Sequence, residues 1–577
     1  MRVACVGAGP GGLMLALLLR RYGNHEVDVY ERSPADATFG FGVVFSRLSL
    51  ARLRQAAPDV VAALLDQGAR WDDVEVRRDG RGVRSSGHGF AAVERRALLL
   101  SLQELARSSG ARLHHNTEVD ATDLLDRYDV VVAADGAGSR TRAAHRDQWG
   151  ARQVTGASRY AWFGVERAFD AMTFLFADGG HGPVGAHVYP YTADKSTFLV
   201  EISGETFAAG GFTDGHTQPP GWNDEQAMEY CAKVFADDLA GAKLIGNGSR
   251  WLTFSHIDAD RWSHGRLVGI GDAVHTAHFS VGSGTTMALE DAAELARCLH
   301  AAAEAGGPVE PALAAYEKAR RPIVEGIQRA AWASRRMWER QEDHAGLDVG
   351  TLMLRLLSRS GQSPADLLLR LDKGLAERCG HDWTAKPAGP VPALVAAGGT
   401  AGPDDVLLVA AADAPAAPPH QVTTVVLEPD AADHTLPAPD VLAQQVAAWR
   451  AAAPGVRVGV LVRATAPAEE PVAAAVAAVA ALVRAVDLDV VAVAPGGGGG
   501  GGGPPPRGGG GGPPGGGGAP PGGGPAADNR AAQMALSERV RAVTDTPTAY
   551  VCPPAELSQG WTHVQAARAD FVWTASA

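Results

Sequence analysis

The chain has 577 residues, 65 acidic against 52 basic, giving a net charge of −13, and 46% of it is hydrophobic. At roughly 100–200 residues per domain, it has room for about three or four domain-sized units and a large buried core. The acidic balance excludes general nucleic-acid binding, which runs on phosphate neutralisation, but leaves room for a local basic patch.

Composition is uneven along the chain. Positions 495–525 hold 20 of the 70 Gly and 9 of the 36 Pro, and no lysine follows Lys386. Beyond residue 390 the aromatics are Trp449, Tyr550, Trp561, Phe571 and Trp573 alone. The cysteines (Cys5, Cys231, Cys298, Cys379 and Cys552) are far apart, with no CxxC and no metal spacing, which reads as reduced thiols and no metal site. The apolar run 13–19 is too short to span a bilayer, and glycines at 7–12 break any likeness to a secretory leader. A cytoplasmic protein with no membrane partner is expected.

In chain order, the first signal is the apolar run Arg2–Val6, of the kind that forms a buried parallel strand. Gly7-Ala8-Gly9-Pro10-Gly11-Gly12 follows, then a helical run over 13–22 and a second apolar run, Val27-Asp28-Val29-Tyr30, ending in Glu31. Each part has a task in dinucleotide binding. Gly7 permits the tight turn, Gly9 lets backbone approach a pyrophosphate, and Gly12 lets helix and strand pack closely. The helix N-terminus faces the phosphates, and Glu31 accepts hydrogen bonds from a ribose. The motif by itself does not separate NAD from FAD.

Further along, Val93-Glu94-Arg95-Arg96-Ala97-Leu98 sets an arginine where an extended segment gives way to a helix. A buried strand over 128–134 ends in Asp135-Gly136-Ala137-Gly138-Ser139-Arg140-Thr141-Arg142. Residues 151–254 alternate in pieces such as Tyr160-Ala161-Trp162-Phe163, the signature of an antiparallel sheet. Another strand runs into Gly271-Asp272-Ala273-Val274-His275, and Gly282-Ser283-Gly284 opens a helix carrying Glu290 and Asp291. Taken alone, Asp272 also reads as a helix N-cap and Asp135 as a turn residue. Residues 301–385 read as helices.

Together, GxGxxG, R-x-x-L, DGxxSxxR and GDAxH, in this order, resemble the single-component FAD aromatic monooxygenases of the para-hydroxybenzoate hydroxylase type. The resemblance implies an α/β fold: a Rossmann-like FAD-binding domain over 1–150 and 255–300, an antiparallel-sheet substrate domain over 151–254, and a helical extension over 301–385. It implies FAD as cofactor and NADPH or NADH as co-substrate. Beside Gly7, Gly9, Gly12 and Glu31, it adds Arg32 to the nucleotide site and Arg95 to the FAD phosphate region. Asp135 falls at the strand end beside FAD, and Asp272 on the ribityl chain. Gly282, Gly284 and Thr285 fall at a helix start facing the flavin, whose dipole stabilises negative charge on the reduced ring.

Members of the wider family read roughly H-x-x-P-P-x-x-G-x-G-x-N after the GDA motif. Here His278 and Phe279 replace the prolines, and Thr286 replaces the asparagine. The segment 277–285, AHFSVGSGT, with Phe39-Gly40-Phe41-Gly42 and Tyr316-Glu317-Lys318-Ala319-Arg320-Arg321-Pro322, is similar to a narrower branch. That branch includes salicylyl-CoA 5-hydroxylase and 2-aminobenzoyl-CoA monooxygenase. It implies an aromatic acyl-CoA or related aromatic small molecule as substrate, with O2 captured as a flavin C4a-hydroperoxide. His278 is then expected at the reactive edge of the flavin, or else is a loop histidine held for packing. His187 and Tyr189 either line the opposite wall or are half-buried sheet residues. A hairpin with Arg77, Arg78, Arg81 and Arg84 either grips CoA phosphates or is a solvated charged surface.

From 390 to 577 the pattern becomes strands (406–409, 422–427, 456–462, 487–493, 548–552 and 569–573) with helices at 443–453 and 471–486, a βα series. It resembles an old-yellow-enzyme-like (β/α)8 barrel in degenerate, incomplete TIM-barrel-like form. A complete barrel takes about 250 residues, more than remain, and the low-complexity stretch 495–525 interrupts it. FMN is therefore not expected. Two other readings stay open: a monooxygenase tailoring a free or carrier-bound aromatic metabolite, and an inactive flavoprotein scaffold.

Overall fold

The computed structural model describes residues 1–359, 372 and 374–379, without the side chains at 333, 336 and 376, together with 444, 446, 447 and the backbone of seven strands farther on. Contacts divide the chain into two units, one of Met1–Leu356 and Asp366–Gly380, the other of Leu357–Ala365 and His381–Ala577.

In the first unit, the run Arg2–Val6 forms the centre of a six-stranded sheet. Parallel neighbours Glu26–Tyr30 and Val130–Ala133 flank it, Arg112–His114 and Leu267–Gly269 lie outside them, and Ser263–His264 adds an antiparallel edge. Helix Pro10–Tyr22 is buried along its whole middle, Gly11 to Leu19, because it lies between the sheet and the helices Arg95–Ser108 and Gly284–Glu304. Close packing dictates glycine at two points of the first turn. A Cβ on Gly7, held at φ +111°, would lie 2.3 Å from the Ala134 carbonyl oxygen, and one on Gly12 would lie 2.2 Å from that of Gly7.

The second sheet runs Leu244–Ile245, Arg159–Val165, Ser196–Ile202, Pro183–Pro190, Met172–Asp178, Val74–Arg78, Arg81–Ser85. The arginine hairpin of the first 150 residues thus joins this sheet, through the buried Val74 and Val76 and parallel pairing with Met172–Asp178. Strand Ser196–Ile202 is buried on both faces. Phe198, Val200 and Ile202 enter an apolar core with Ala227, Cys231 and Phe235 of the short helices beyond it. Thr197, Leu199 and Glu201 face the other way, and register places Tyr160 and Gly185 directly beside Glu201. A Cβ on Gly185 would come within 2.7 Å of the Trp338 ring, so the missing side chain is what lets helix Glu310–Glu339 close over this face.

In the second unit, strands Ala393–Ala396, Val406–Ala410, Thr424–Glu428, Arg457–Ala464, Val490–Pro495, Thr548–Cys552 and Phe571–Ala575 pair in parallel and in sequence order, and the last pairs with the first. Six of these fall on or within a few residues of expected strands. Ala393–Ala396 was not foreseen, since four small apolar residues in a Gly- and Pro-rich stretch carry no period. Most of the helices expected at 443–453 and 471–486, and the stretch 496–525, lie outside the described residues. No helix among the described residues is long and apolar enough to cross a membrane.

Candidate functional site

The two turns foreseen from glycine spacing meet at one cleft. A cavity of about 250 Å³ is lined by Gly7, Gly9, Glu31, Arg32 and Asp135. Glu31 is pinned at its mouth: one carboxylate oxygen accepts from the Ala8 N–H at 2.9 Å, the other from the Ser33 N–H at 2.8 Å. Asp135 accepts from the Thr141 N–H (3.1 Å) and hydroxyl (3.0 Å) through Oδ2, while its Oδ1 is buried without a hydrogen-bond partner among the described residues. Helix Pro10–Tyr22 starts at Gly9 with no side chain capping it. A glycine turn with no room for a Cβ, an open helix N-terminus and an orphaned carboxylate oxygen together fit the pyrophosphate and ribose of a dinucleotide.

The flavin end is built around a helical turn at Gly271–Ala273. Burial pushes the Asp272 carboxyl up, against the pull of His275 and Arg95. Arg95, first residue of helix Arg95–Ser108, is lowered by burial against the attraction of Asp272 and Tyr189, and it forms no ion pair among the described residues. A partly buried guanidinium without a carboxylate of its own suits an anionic ligand. Gly282 takes φ +62°, and Ser283 precedes helix Gly284–Glu304 without capping it, its hydroxyl donating instead to the Val281 carbonyl. The first-turn N–H groups of Gly284 and Thr285 have no side-chain cap among the described residues, at the positive end of a 21-residue helix. These residues fit the flavin that the motifs imply.

Two tethers hold this geometry, the first from the last residue of the DGxxSxxR motif and the second from residues outside the motifs. Arg142 donates to the carbonyls of Asp272, Ala273 and Ala137, locking the Asp135 turn to the Asp272 turn. Beneath, Asp291 accepts from Gly271 N–H at 3.0 Å, faces His275 Nε2 at 2.7 Å, and accepts from Arg320 Nε at 2.8 Å, while Arg320 also reaches Glu290 at 2.8 Å. The signal was present: two acids in an apolar helix at 290 and 291 and an arginine pair in the helical extension.

Of the three residues expected on the substrate side, two lie together. His187 and His278, on a strand and a loop 91 positions apart, both face Glu201, each with Nε2 3.5 Å from a different carboxylate oxygen. Aromatic rings wall them in: Trp338 lies 3.9 Å from His187 between centroids, and Phe254 lies 4.9 Å from His278. Tyr189 stands apart from this group. Its hydroxyl donates to the Gly42 carbonyl at 2.8 Å, which anchors the Phe39-Gly40-Phe41-Gly42 segment. In the arginine hairpin, Arg77 pairs with Glu75 and Asp238, Arg84 with Glu75, Asp73 and Asp170, and Arg78 donates to the carbonyls of His344 and Leu347. Three of the four guanidinium groups thus hold the sheet together, and Arg81 is the exposed one.

Residues 1–331 match the FAD binding domain family. The chain is 45% identical to salicyloyl-CoA 5-hydroxylase of Streptomyces sp over 341 residues, 59% of this chain and 65% of that protein, just under two thirds of its length. It is 37% identical to 3-hydroxy-4-methyl-anthranilyl-[aryl-carrier protein] 5-monooxygenase of Streptosporangium sibiricum over 363 residues, 63% of this chain and 95% of that one. Protodeoxyviolaceinate monooxygenase of Chromobacterium violaceum is 32% identical over 359 residues, 60% of this chain and 91% of its own. With more than half its length matched to the family and its turns shaped for the cofactor, the chain belongs to the FAD binding domain family, among the flavin monooxygenases.

Proposed function

We propose that the protein is an FAD-dependent, NAD(P)H-using hydroxylase of an aromatic acid carried as a thioester, with coenzyme A as the carrier. The observation that carries this reading is the 45% identity to salicyloyl-CoA 5-hydroxylase over 341 residues. When bound, FAD supplies the reduction by NAD(P)H and the activation of O2. The chain does the rest. The Gly7 turn and Arg95 would hold its phosphates, Asp272 would hold the ribityl chain, and the uncapped N-terminus of helix Gly284–Glu304 would favour negative charge on the ring. The rings of Trp338, Phe279, Phe254 and Tyr160 pack together around His187 and would shield an aromatic substrate beside it from water. His278, on the loop between the Asp272 turn and that helix, handles the proton of the ring substituent that activates the substrate.

Carrier-protein delivery is a second reading, favoured by the match to 95% of a relative named for an aryl-carrier substrate. The second unit, with its seven parallel strands, fits a degenerate TIM-like barrel that has lost FMN; FMN bound in stoichiometric amounts beside FAD would refute that. The deciding experiment follows NAD(P)H oxidation by the purified chain with salicylyl-CoA, 2-aminobenzoyl-CoA and the free acids, with products identified by mass. Hydroxylated thioester is expected. Turnover of free acids but not thioesters would sink the proposal.

A further inference from the structure

One carboxylate on the substrate side has no role in the motifs. Glu201 is fully buried near the C-terminal end of strand Ser196–Ile202, with Tyr160 and Gly185 as cross-strand neighbours. Ser158 donates its hydroxyl to Oε1 at 2.9 Å, and Gln341 donates to the backbone carbonyl at 2.8 Å. The other carboxylate oxygen, Oε2, is buried and accepts no hydrogen bond among the described residues. An ionised carboxylate left in such a place is costly unless charge or donors face it. Burial pushes the Glu201 carboxyl up, yet the two imidazoles facing it outweigh that and hold it at about 2.

The hydrogen bonds of His278 fix which nitrogen carries its proton. The Ser280 N–H donates to Nδ1 at 3.4 Å as a turn cap, and the Ser280 hydroxyl lies 2.9 Å from the same nitrogen and 2.7 Å from that of Ser334. A nitrogen that accepts a backbone N–H carries no proton, so in the neutral ring the proton sits on Nε2. Nε2 is the atom that faces Glu201 Oε1 at 3.5 Å, and it too is buried with no closer hydrogen-bond partner among the described residues. The nearby ionic groups are otherwise engaged: Arg335 pairs with Glu339, and Glu342 accepts from Ser203. Glu201 is thus the carboxylate set against this ring.

We infer that Glu201 is a positioning residue of the hydroxylation chamber, holding His278 in the tautomer protonated on Nε2 and balancing the imidazolium that forms when Nδ1 takes up a proton. The proton is one released from a hydroxyl or amino group of the aromatic ring and arrives through the Ser280 hydroxyl. The bonding pair stays on the ring substituent, and the neutral Nε2–H ring is restored when the proton leaves. His187 Nε2, on the opposite carboxylate oxygen, makes the unit a carboxylate shared between two imidazoles. This assignment rests on the chamber being the hydroxylation site proposed above.

The test uses the full-length, FAD-loaded protein with ¹⁵N-labelled histidine, the His278 signals being those lost in His278→Asn. Nε2 should show the shift of a protonated nitrogen and Nδ1 that of an acceptor, and Glu201→Gln should mix the two tautomers. With salicylyl-CoA, Glu201→Gln should lower kcat about 100-fold, in the range for loss of general acid–base action, with KM changed less than about threefold and FAD content unchanged. Glu201→Asp, which keeps the charge, should recover part of the rate. A wild-type ring protonated on Nδ1 overturns the inference even if Glu201→Gln does not fold, and so does a Glu201→Gln that keeps both tautomer and kcat. If no aryl thioester or free acid is turned over, the proposed function fails, while the tautomer still decides the role of Glu201.

Discussion

Asp291→Ala is the sharpest test of how the flavin turn is held. The substitution removes the acceptor of the Gly271 N–H and the partner of His275 and Arg320, three contacts of 2.7–3.0 Å at a fully buried position. Breaking a buried charge pair by deleting one partner costs about 3–5 kcal/mol. Arg320 retains Glu290 at 2.8 Å, which argues for the lower end, while the stranded Gly271 N–H adds about 1–3 kcal/mol. A loss of about 4–5 kcal/mol, at about 2 °C per kcal/mol for a unit this large, predicts a fall of roughly 8–10 °C in the unfolding temperature of the first unit. Flavin release should precede unfolding, because Gly271 sits next to Asp272. The assay is flavin fluorescence alongside circular dichroism during heating. A Tm within 2 °C of wild type, with full FAD content, would refute the argument. The pH dependence has a definite sign. Burial raises the Asp291 carboxyl, but His275 and Arg320 outweigh it and hold it below the usual range. A depressed folded pKa gives stability that is complete above the unfolded value, about 3.9, and is lost as pH falls through the folded one. Asp291→Asn should therefore lack that acid-side loss.

Gly185→Ala should leave FAD binding intact while displacing Trp338, because the new Cβ would lie 2.7 Å from its ring and 3.0 Å from Gln341 Oε1. Overpacking of about 1–3 kcal/mol is expected, read as lower Tm and more hydrogen peroxide released per NAD(P)H oxidised; unchanged coupling would contradict the roof assigned to Trp338. Tyr189→Phe removes the 2.8 Å bond to the Gly42 carbonyl and should cost about 1–3 kcal/mol in stability with hydroxylation retained. A 100-fold fall in kcat at normal Tm would instead make Tyr189 catalytic. Asp135→Ala removes the carboxylate that faces the cleft with a free oxygen, and FAD affinity, titrated by fluorescence, should weaken about 10–100-fold; an unchanged Kd would contradict its assignment.

The flavin turns were legible in the sequence because their constraints are local. Gly7 and Gly12 are demanded by backbone atoms within a few ångströms, and the strand–turn–helix order writes that demand into adjacent residues. The side proposed to handle the proton was half legible. His278 and His187 stood out as residue types in plausible segments, but what joins them is Glu201, which reads as an ordinary strand residue. Its burial depends on Gly185 of the next strand, Trp338 of a helix 137 positions on, and a loop at 278. No window along the chain contains that combination. Asp291 was hidden in a similar way, since its partners come from two distant segments, Gly271 and His275 from one turn and Arg320 from a later helix. The hairpin shows the opposite failure. Four arginines in a row of ten invite a phosphate, and only the fold reveals Glu75, Asp170 and Asp238 taking up two of them.

The two buried carboxylates differ in a way that separates scaffold from chemistry. Asp291 is saturated: both oxygens have partners at 3.0 Å or less, from an arginine, a histidine and a backbone N–H. Glu201 is not, with its imidazoles at 3.5 Å and one oxygen orphaned. Fully satisfied buried networks rigidify a fold, whereas a buried group left unsatisfied in a native structure calls for a catalytic or ligand-linked explanation. The contrast predicts crossed phenotypes. Asp291→Asn should lower Tm and FAD retention while the surviving holoenzyme turns over normally, and Glu201→Gln should hold FAD and Tm while losing turnover. Glu201→Gln keeps the shape of the side chain and the acceptor for Ser158, so its Tm should fall less than that of Asp291→Asn. Were the phenotypes exchanged, the saturated site would be the one engaged in chemistry, and partner count would have no value here as a guide to role.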